Sequence, residues 1–152
     1  MGAWDYGIFD DDTAYEFEDE IKENPLAFFE TSVKTAIKPG YLESTEAYAA
    51  LISAAYIDNL LNGTVYRTDA DDQEDEGNVN KFGQLHKTLN VSHIIAPAIK
   101  ALKKITGKNS ELNELWLENK ELYPKWKETI ESLSKRLENH TPKQNFWQKI
   151  FK

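Results

Sequence analysis

The feature that most constrains the fold is an alanine-rich stretch between Pro39-Gly40 and Asn62-Gly63. Ser44 can cap a helix here, and the apolar residues after it recur every three to four positions, as they do on one face of a helix. Asn62-Gly63 is a helix stop signal. The small side chains on this face let a second helix approach closely, so we predict that this segment is the central helix. The residues on the apolar face are Ala47, Leu51, Ala54, Ile57 and Leu61.

The rest of the chain repeats the same helical spacing. Helix start signals stand at Asp10 to Asp12, at Asn24-Pro25 and at Pro124, and apolar residues at intervals of three and four follow each of them. No alternating run of apolar and polar residues is long enough to predict a strand. We therefore predict an all-α bundle of about six or seven helices in a single domain.

Two positions leave the helical pattern open to interpretation. Asp58 lies one step from the apolar stripe of the central helix, either as a buried, partnered carboxylate or at the edge of the face, and we favour the edge. The residues from Val79 to Leu89 support a short helix, which we expect Gly83 to interrupt.

Length and composition fit one domain, residues 1–152, with three unusual segments. These are an aromatic arm at 1–9, an acidic mobile loop at 69–77 and an amphipathic tail at 140–152. The loop holds six acids and no large apolar residue, so we expect nothing in it to offset the entropy cost of ordering. The chain has no cysteine, signal peptide or long apolar span, which predicts a cytoplasmic protein.

Acidic residues are concentrated in two segments of a chain whose net charge is −8. Residues 1–30 hold ten acids and one lysine, and residues 69–77 hold the six acids of the loop, so the remainder is net positive. Binding to nucleic acids relies on clustered Lys and Arg. We therefore predict no nucleic acid and no membrane as partners, and favour a protein partner with a basic surface.

The predicted partner-binding residues form two patches. The first patch is Asp10, Asp11, Asp12, Glu16, Asp19 and Glu20, and the second is Asp71, Asp72, Glu74 and Asp75. Because carboxylates can occupy a basic groove in place of phosphates, we predict an immunity protein, a monomer or weak homodimer, that neutralises a bacterial toxin by covering a basic site. The alternatives are a scaffold or regulatory adaptor that uses the same surfaces, and an acidic face that serves only solubility.

No motif for nucleotide binding, zinc proteolysis or serine hydrolysis is present, so we predict a non-enzymatic protein with no metal or cofactor. Asp69 and Asp71 match the start of an EF-hand loop, but the sixth position is Glu74 instead of Gly and the twelfth is Asn80 instead of Glu. The third hypothesis is a metal-dependent enzyme. Its site would be built from Asp10, Asp12, His86 and His93.

Residues 2–14 read Gly-Ala-Trp-Asp-Tyr-Gly-Ile-Phe-Asp-Asp-Asp-Thr-Ala, and residues 110–116 read Ser-Glu-Leu-Asn-Glu-Leu-Trp. They resemble the opening Gly-Ala-Trp-Gly-x-Gly-x-Phe-Asp-Asn-Asp and the closing Ser-Glu-Leu-x-x-Leu-Trp of an uncharacterised bacterial family of unknown function. This chain departs from the opening at Asp5, Asp11 and Phe17. The resemblance covers about residues 2–138 and implies a helical fold and a bacterial origin, without an activity.

Overall fold

The computed structural model describes residues 5–141, which contain seven α-helices and two short 3₁₀ turns. These residues form no strand, and Leu42 and Ser110 make an isolated bridge. No helix in this part is both long and apolar enough to cross a membrane. The prediction of an all-α, single-domain bundle is confirmed. The helices are α1 (Glu18–Glu23), α2 (Pro25–Ile37), α3 (Ser44–Asn62), α4 (Val79–Leu85), α5 (Ser92–Ile105), α6 (Glu111–Leu117) and α7 (Tyr123–Glu138), and the 3₁₀ turns are Asp12–Tyr15 and Ala70–Asp72.

Helix α3 is the central helix, as the alanine-rich stretch predicts. Every residue from Ala50 to Asn59 is buried, and α2, α4, α5, α6 and α7 all pack against it. The helix begins one residue earlier than expected, because Glu43 is the N-cap and its backbone N–H donates to Glu46 Oε1 at 3.3 Å. Gly63 ends the helix in the left-handed conformation, with φ of 68°, which glycine adopts without steric cost.

Gly83 lies inside α4 and does not interrupt it. A Cβ at this position would lie 2.9 Å from the backbone oxygen of Asn59. The Gly83 N–H also donates to Asn59 Oδ1 at 2.8 Å. The glycine is therefore explained by the close approach of α4 to α3, and the expected break in the helix is wrong.

The two chain ends are only partly described. In the predicted aromatic arm, Ile8 and Phe9 are buried, and the Phe9 ring lies 5.5 Å from that of Tyr66 and 6.1 Å from that of Tyr56, between ring centroids. Residues 1–4 lie outside the described part. Helix α7 ends at Glu138, and of the predicted tail at 140–152 the residues from 142 onward also lie outside it.

Asp58 is a buried, partnered carboxylate, so our preference for an edge position is wrong. Its side chain is 0% exposed. It accepts hydrogen bonds from Tyr66 Oη at 2.6 Å, Asn62 Nδ2 at 2.7 Å and Arg136 Nε at 3.0 Å. The pair with Arg136 joins α7 to α3 across the core. The sequence spacing could not show this, because the cation is 78 residues away in the chain.

Candidate functional site

Asp10, from the first predicted patch, points into the fold and is 3% exposed. Its carboxylate accepts a hydrogen bond from the Gly7 N–H at 2.9 Å and forms an ion pair with the Arg67 guanidinium, whose Nε lies 3.2 Å from Oδ1. A Cβ on Gly7 would lie 2.5 Å from the Asp10 carboxylate, so a larger residue here would displace that side chain. Because its charge is already paired inside the protein, Asp10 is not available as a surface contact.

Asp11 is also buried, at 2% exposure. Oδ1 accepts a hydrogen bond from the Thr13 N–H at 2.8 Å and so caps the first 3₁₀ turn. Oδ2 accepts one from the Tyr48 hydroxyl at 2.6 Å, which ties this turn to α3. Asp11 therefore holds the N-terminal segment on the core. Like Asp10, it is buried and is not available as a surface contact, which corrects its inclusion among the predicted partner-binding residues.

The other four residues of the first patch are at the surface. Asp12, Glu16, Asp19 and Glu20 are all exposed, and the Asp19 side chain is 97% exposed. Lys22 Nζ lies 3.6 Å from Asp19 Oδ1. These carboxylates project from the first 3₁₀ turn and from α1 into solvent, where a partner can reach them.

The acidic segment at 69–77 is attached to the core at both ends. At its start, the Asp69 N–H donates to the Tyr15 hydroxyl at 2.8 Å. At its end, the Tyr56 hydroxyl donates to the Gly77 carbonyl at 2.5 Å. Between them Ala70–Asp72 form the second 3₁₀ turn. The composition of this segment predicts no contacts that could order it. The structure shows contacts at both ends, because the tyrosine partners come from distant parts of the chain.

Glu18, Asp72 and Asp75 meet where α1 contacts the acidic segment, and we call these three residues the carboxylate cluster. One oxygen from each side chain lies within 4.8 Å of the other two. Lys22 Nζ lies 3.4 Å from Asp75 Oδ1, although these residues are 53 positions apart in the chain. The two patches predicted separately are therefore parts of one surface. Glu18 was missed because its contact with residues 72 and 75 has no local sequence signal.

The exposed carboxylates on both sides of this contact make up a single acidic surface. Asp12, Glu16, Asp19, Glu20, Asp71 and Glu74 are exposed, and Asp72 and Asp75 are partly exposed. Of the residues predicted as partner contacts, these eight remain after Asp10 and Asp11 are removed. We use the name acidic surface for these eight residues.

Glu18 differs from the residues of the acidic surface because it is 9% exposed. The pKa of Glu18 is raised to about 8, mainly by burial and in addition by a hydrogen bond with Asp72 and the negative charges of Asp72 and Asp75. The Gly77 N–H, which donates to Asp75 at 2.7 Å, holds the pKa of Asp75 below its usual value. The three carboxylates are thus in unequal environments. Burial and the neighbouring acids favour the protonated form of Glu18, whereas the Gly77 N–H favours the ionised form of Asp75.

A groove of about 760 Å³ lies next to the acidic surface, between α1, α2 and the start of α3. Phe17 and Phe28 line this groove, and the centroids of their rings are 5.5 Å apart. Glu20, Glu23 and Glu46 add carboxylates. The groove therefore combines apolar area with negative charge and shares Glu20 with the acidic surface.

The residues of the metal-dependent hypothesis do not come together. Asp10 is paired with Arg67, the His86 ring stacks on Phe82 with centroids 4.4 Å apart, and His93 Nε2 lies 3.3 Å from Glu30 Oε1. Within residues 5–141, the carboxylate cluster is the only group of three acidic or histidine side chains close enough to share one ion. Asp10, Asp12, His86 and His93 therefore form no common site.

The profile of a family described as a domain of unknown function, DUF4259, matches residues 2–129. The chain belongs to the DUF4259 family. No curated protein and no solved structure matches it. The DUF4259 match includes the whole acidic surface and the carboxylate cluster, and it ends within α7, before Arg136. The family description assigns no activity, so function has to be argued from the surface itself.

Proposed function

We propose that this DUF4259 protein is a non-enzymatic interaction protein whose acidic surface binds a basic protein partner. The observation that carries the proposal is the contact between α1 and the segment at 69–77, which joins two acidic stretches into one surface. Lys22 is the one basic residue in these stretches, and Asp19 and Asp75 already pair with it. The surface therefore presents unneutralised negative charge to an approaching protein.

Charge of one sign on a continuous surface mainly raises the rate of encounter with an oppositely charged partner and selects against wrong ones. Affinity needs apolar burial in addition. In the groove beside Glu20, the rings of Phe17 and Phe28 provide apolar area that a partner can bury. The chemistry thus favours a partner that presents Lys or Arg beside a protruding apolar side chain.

The more specific form of the proposal is an immunity protein. A nuclease toxin binds its substrate in a basic groove, because phosphate binding depends on Lys and Arg. Carboxylates spaced across the acidic surface can occupy that groove and exclude the nucleic acid. Neutralisation by this mechanism requires no catalytic residue in the inhibitor, only an exposed surface of the right charge and extent.

A pull-down from lysate of the native host, washed at low and at high salt, tests the proposal. Three forms of the tagged protein are compared: the wild type, an acidic-surface variant and a matched control variant. Both variants carry four Glu or Asp to Lys changes at exposed carboxylates, so their net charge is the same. The acidic-surface variant combines Glu16→Lys, Glu20→Lys, Asp71→Lys and Glu74→Lys, and the control combines Glu118→Lys, Glu121→Lys, Glu128→Lys and Glu131→Lys.

We expect the wild type and the control to capture one basic protein that high salt releases, and the acidic-surface variant to lose it. If the captured protein is a toxin, co-expression with the wild type restores growth and co-expression with the acidic-surface variant does not. Capture of a host complex that is retained at high salt supports the adaptor alternative instead. Equal capture by all three forms contradicts the assignment to this surface.

A further inference from the structure

Basic residues are concentrated in two segments that pack together. Residues 31–42 and 87–110 hold seven lysines and no Asp or Glu, although the chain as a whole has a net charge of −8. The first segment includes the second half of α2 and the second includes all of α5, and these two helices contact each other. The fold therefore gathers positive charge that composition alone does not reveal. The seven residues are Lys34, Lys38, Lys87, Lys100, Lys103, Lys104 and Lys108.

Helices α2 and α5 lie side by side and run in the same direction. In the first turn of α5, His93 Nε2 lies 3.3 Å from Glu30 Oε1 in the middle of α2. In the last turn of α5, Lys104 Nζ donates to the carbonyl of Lys38, which follows the last residue of α2. The two contacts are in the same order along both helices, so one edge of α2 follows one edge of α5.

Four lysines line these two edges, and we call them the lysine seam. Lys34 lies four residues after Glu30 and four before Lys38, so it shares their edge of α2. Lys100 lies about one turn before Lys104, on the facing edge of α5. Within residues 5–141, no lysine of the seam forms an ion pair. Lys34, Lys38 and Lys100 are exposed and Lys104 is partly exposed.

The groove borders the other side of α2. Thr31 and Thr35 line the groove, and Lys34 and Lys38 each follow one of them by three residues, so the groove and the seam are neighbours on the helix surface. The rest of the lining comes from α1, Phe17 and the start of α3. Helix α2 thus separates a basic seam from a groove that carries three carboxylates. These are Glu20, Glu23 and Glu46.

The seam and the groove complement each other in more than charge. Lysine ammonium groups can pair with the carboxylates of the groove, while the aliphatic parts of the same side chains cover apolar surface. In the groove that surface includes the rings of Phe17 and Phe28, and a cation over an aromatic ring adds attraction. One copy of the chain therefore carries both halves of a matching interface.

Symmetry allows both halves to be used at once. Consider two copies that face each other across a two-fold axis parallel to α2. Rotation about this axis exchanges the two sides of the helix, so the seam of each copy lies opposite the groove of the other. The same contact then forms twice, as in the closed two-fold dimers that are common among soluble proteins.

We propose that this protein forms a two-fold dimer in which the lysine seam of each copy binds the groove of the other. Each copy has a net charge of −8, but at about 0.15 M salt, charges more than about 8 Å apart are largely screened. Ammonium and carboxylate groups in direct contact are screened much less, so local attraction outweighs the repulsion between the net charges. The dimer covers Glu20 of the acidic surface and therefore competes with a partner there, but the inference does not depend on the proposed function.

Sedimentation of the purified full chain tests the dimer without any partner. Concentrations from about 1 μM to about 1 mM cover dissociation constants in the same range. At about 0.15 M salt we expect a reversible equilibrium between monomer and dimer, which shifts toward the monomer at about 0.5 M salt. A monomer at every concentration, or assemblies that keep growing beyond the dimer, overturns the proposal.

Reciprocal charge reversal tests which surfaces form the interface. The acid-reversed variant carries Glu20→Lys and Glu23→Lys, and the lysine-reversed variant carries Lys34→Glu and Lys38→Glu. We expect each variant alone to dimerise at least about tenfold more weakly, because its seam and groove repel each other. An equal mixture of the two should dimerise like the wild type, because every basic surface then meets an acidic one.

Two control variants carry the same changes in net charge at exposed positions outside both surfaces, and they should keep the wild-type equilibrium. The lysine-reversed variant keeps the whole acidic surface, so its partner capture distinguishes a failure of the dimer from a failure of the proposed function. An unchanged equilibrium in either reversed variant, or equal loss in the controls, contradicts the interface. So does a mixture that stays monomeric although circular dichroism shows both variants to be folded. The controls are Glu118→Lys with Glu121→Lys, and Lys120→Glu with Lys135→Glu.

Discussion

At the scale of single residues, the fate of each carboxylate depends on what surrounds it. Asp11 and Asp12 are adjacent and chemically identical, yet Asp11 is buried and Asp12 is exposed. Asp11 finds the Thr13 N–H and the Tyr48 hydroxyl, and these two donors replace the water that burial removes. The difference lies in a hydroxyl that belongs to α3, so charge alone could not reveal it.

Tyr48→Phe is expected to lower stability and leave partner binding intact. The change removes the hydroxyl that donates to Asp11 and leaves a buried acceptor short of a partner, at a cost of about 1–3 kcal/mol. Chemical denaturation measures the loss in the free energy of unfolding. An unchanged denaturation midpoint would show that another group donates a hydrogen bond to Asp11 when the Tyr48 hydroxyl is absent.

Arg136→Leu tests the ion pair that joins α7 to α3. The variant leaves Asp58 buried without its cation. Breaking a fully buried ion pair typically costs about 3–5 kcal/mol. Because the Arg136 side chain is 35% exposed, we expect a smaller loss in the free energy of unfolding, of about 2–3 kcal/mol. Lys135→Leu, at the exposed neighbouring position, is the control and should change stability by less than about 0.5 kcal/mol. Equal effects of the two variants in urea denaturation would argue against the pair.

At the scale of helices, spacing and caps predict most of what is observed. Asn24 caps α2, with Pro25 in its first turn, and the apolar stripe of α3 identifies the central helix. Gly83 was misinterpreted because a glycine within a helical pattern has two explanations, a break in the helix or a close helix contact. Only the position of α3 decides between them.

Gly83→Ala should therefore destabilise the protein, although alanine favours an isolated helix by about 1 kcal/mol over glycine. The added Cβ would lie 2.9 Å from the Asn59 carbonyl oxygen, and such overpacking costs about 1–3 kcal/mol. Gln84→Ala, exposed on the same helix, controls for helix propensity. A higher melting temperature for Gly83→Ala would show that α4 and α3 are farther apart than described.

At the scale of the whole molecule, the arrangement of charge is what the sequence leaves undetermined. Composition shows two acidic segments, and these segments contain all eight carboxylates of the acidic surface. It does not show that residues 18, 72 and 75 meet, because this contact depends on how Tyr15 and Tyr56 attach the segment at 69–77. Long-range packing thus turns two stretches of acidic sequence into one surface, and it creates a buried glutamate that neither stretch predicts.

The most direct test of the account measures the affinity for the captured partner while each half of the acidic surface is reversed separately. One variant carries Glu16→Lys and Glu20→Lys, a second carries Asp71→Lys and Glu74→Lys, and a third carries all four changes. If both halves form one binding surface, each pair of changes weakens binding by about tenfold or more, which corresponds to about 1.4 kcal/mol, and the third variant binds most weakly. If either pair leaves the affinity unchanged, the two halves do not act as one surface and the central claim is wrong.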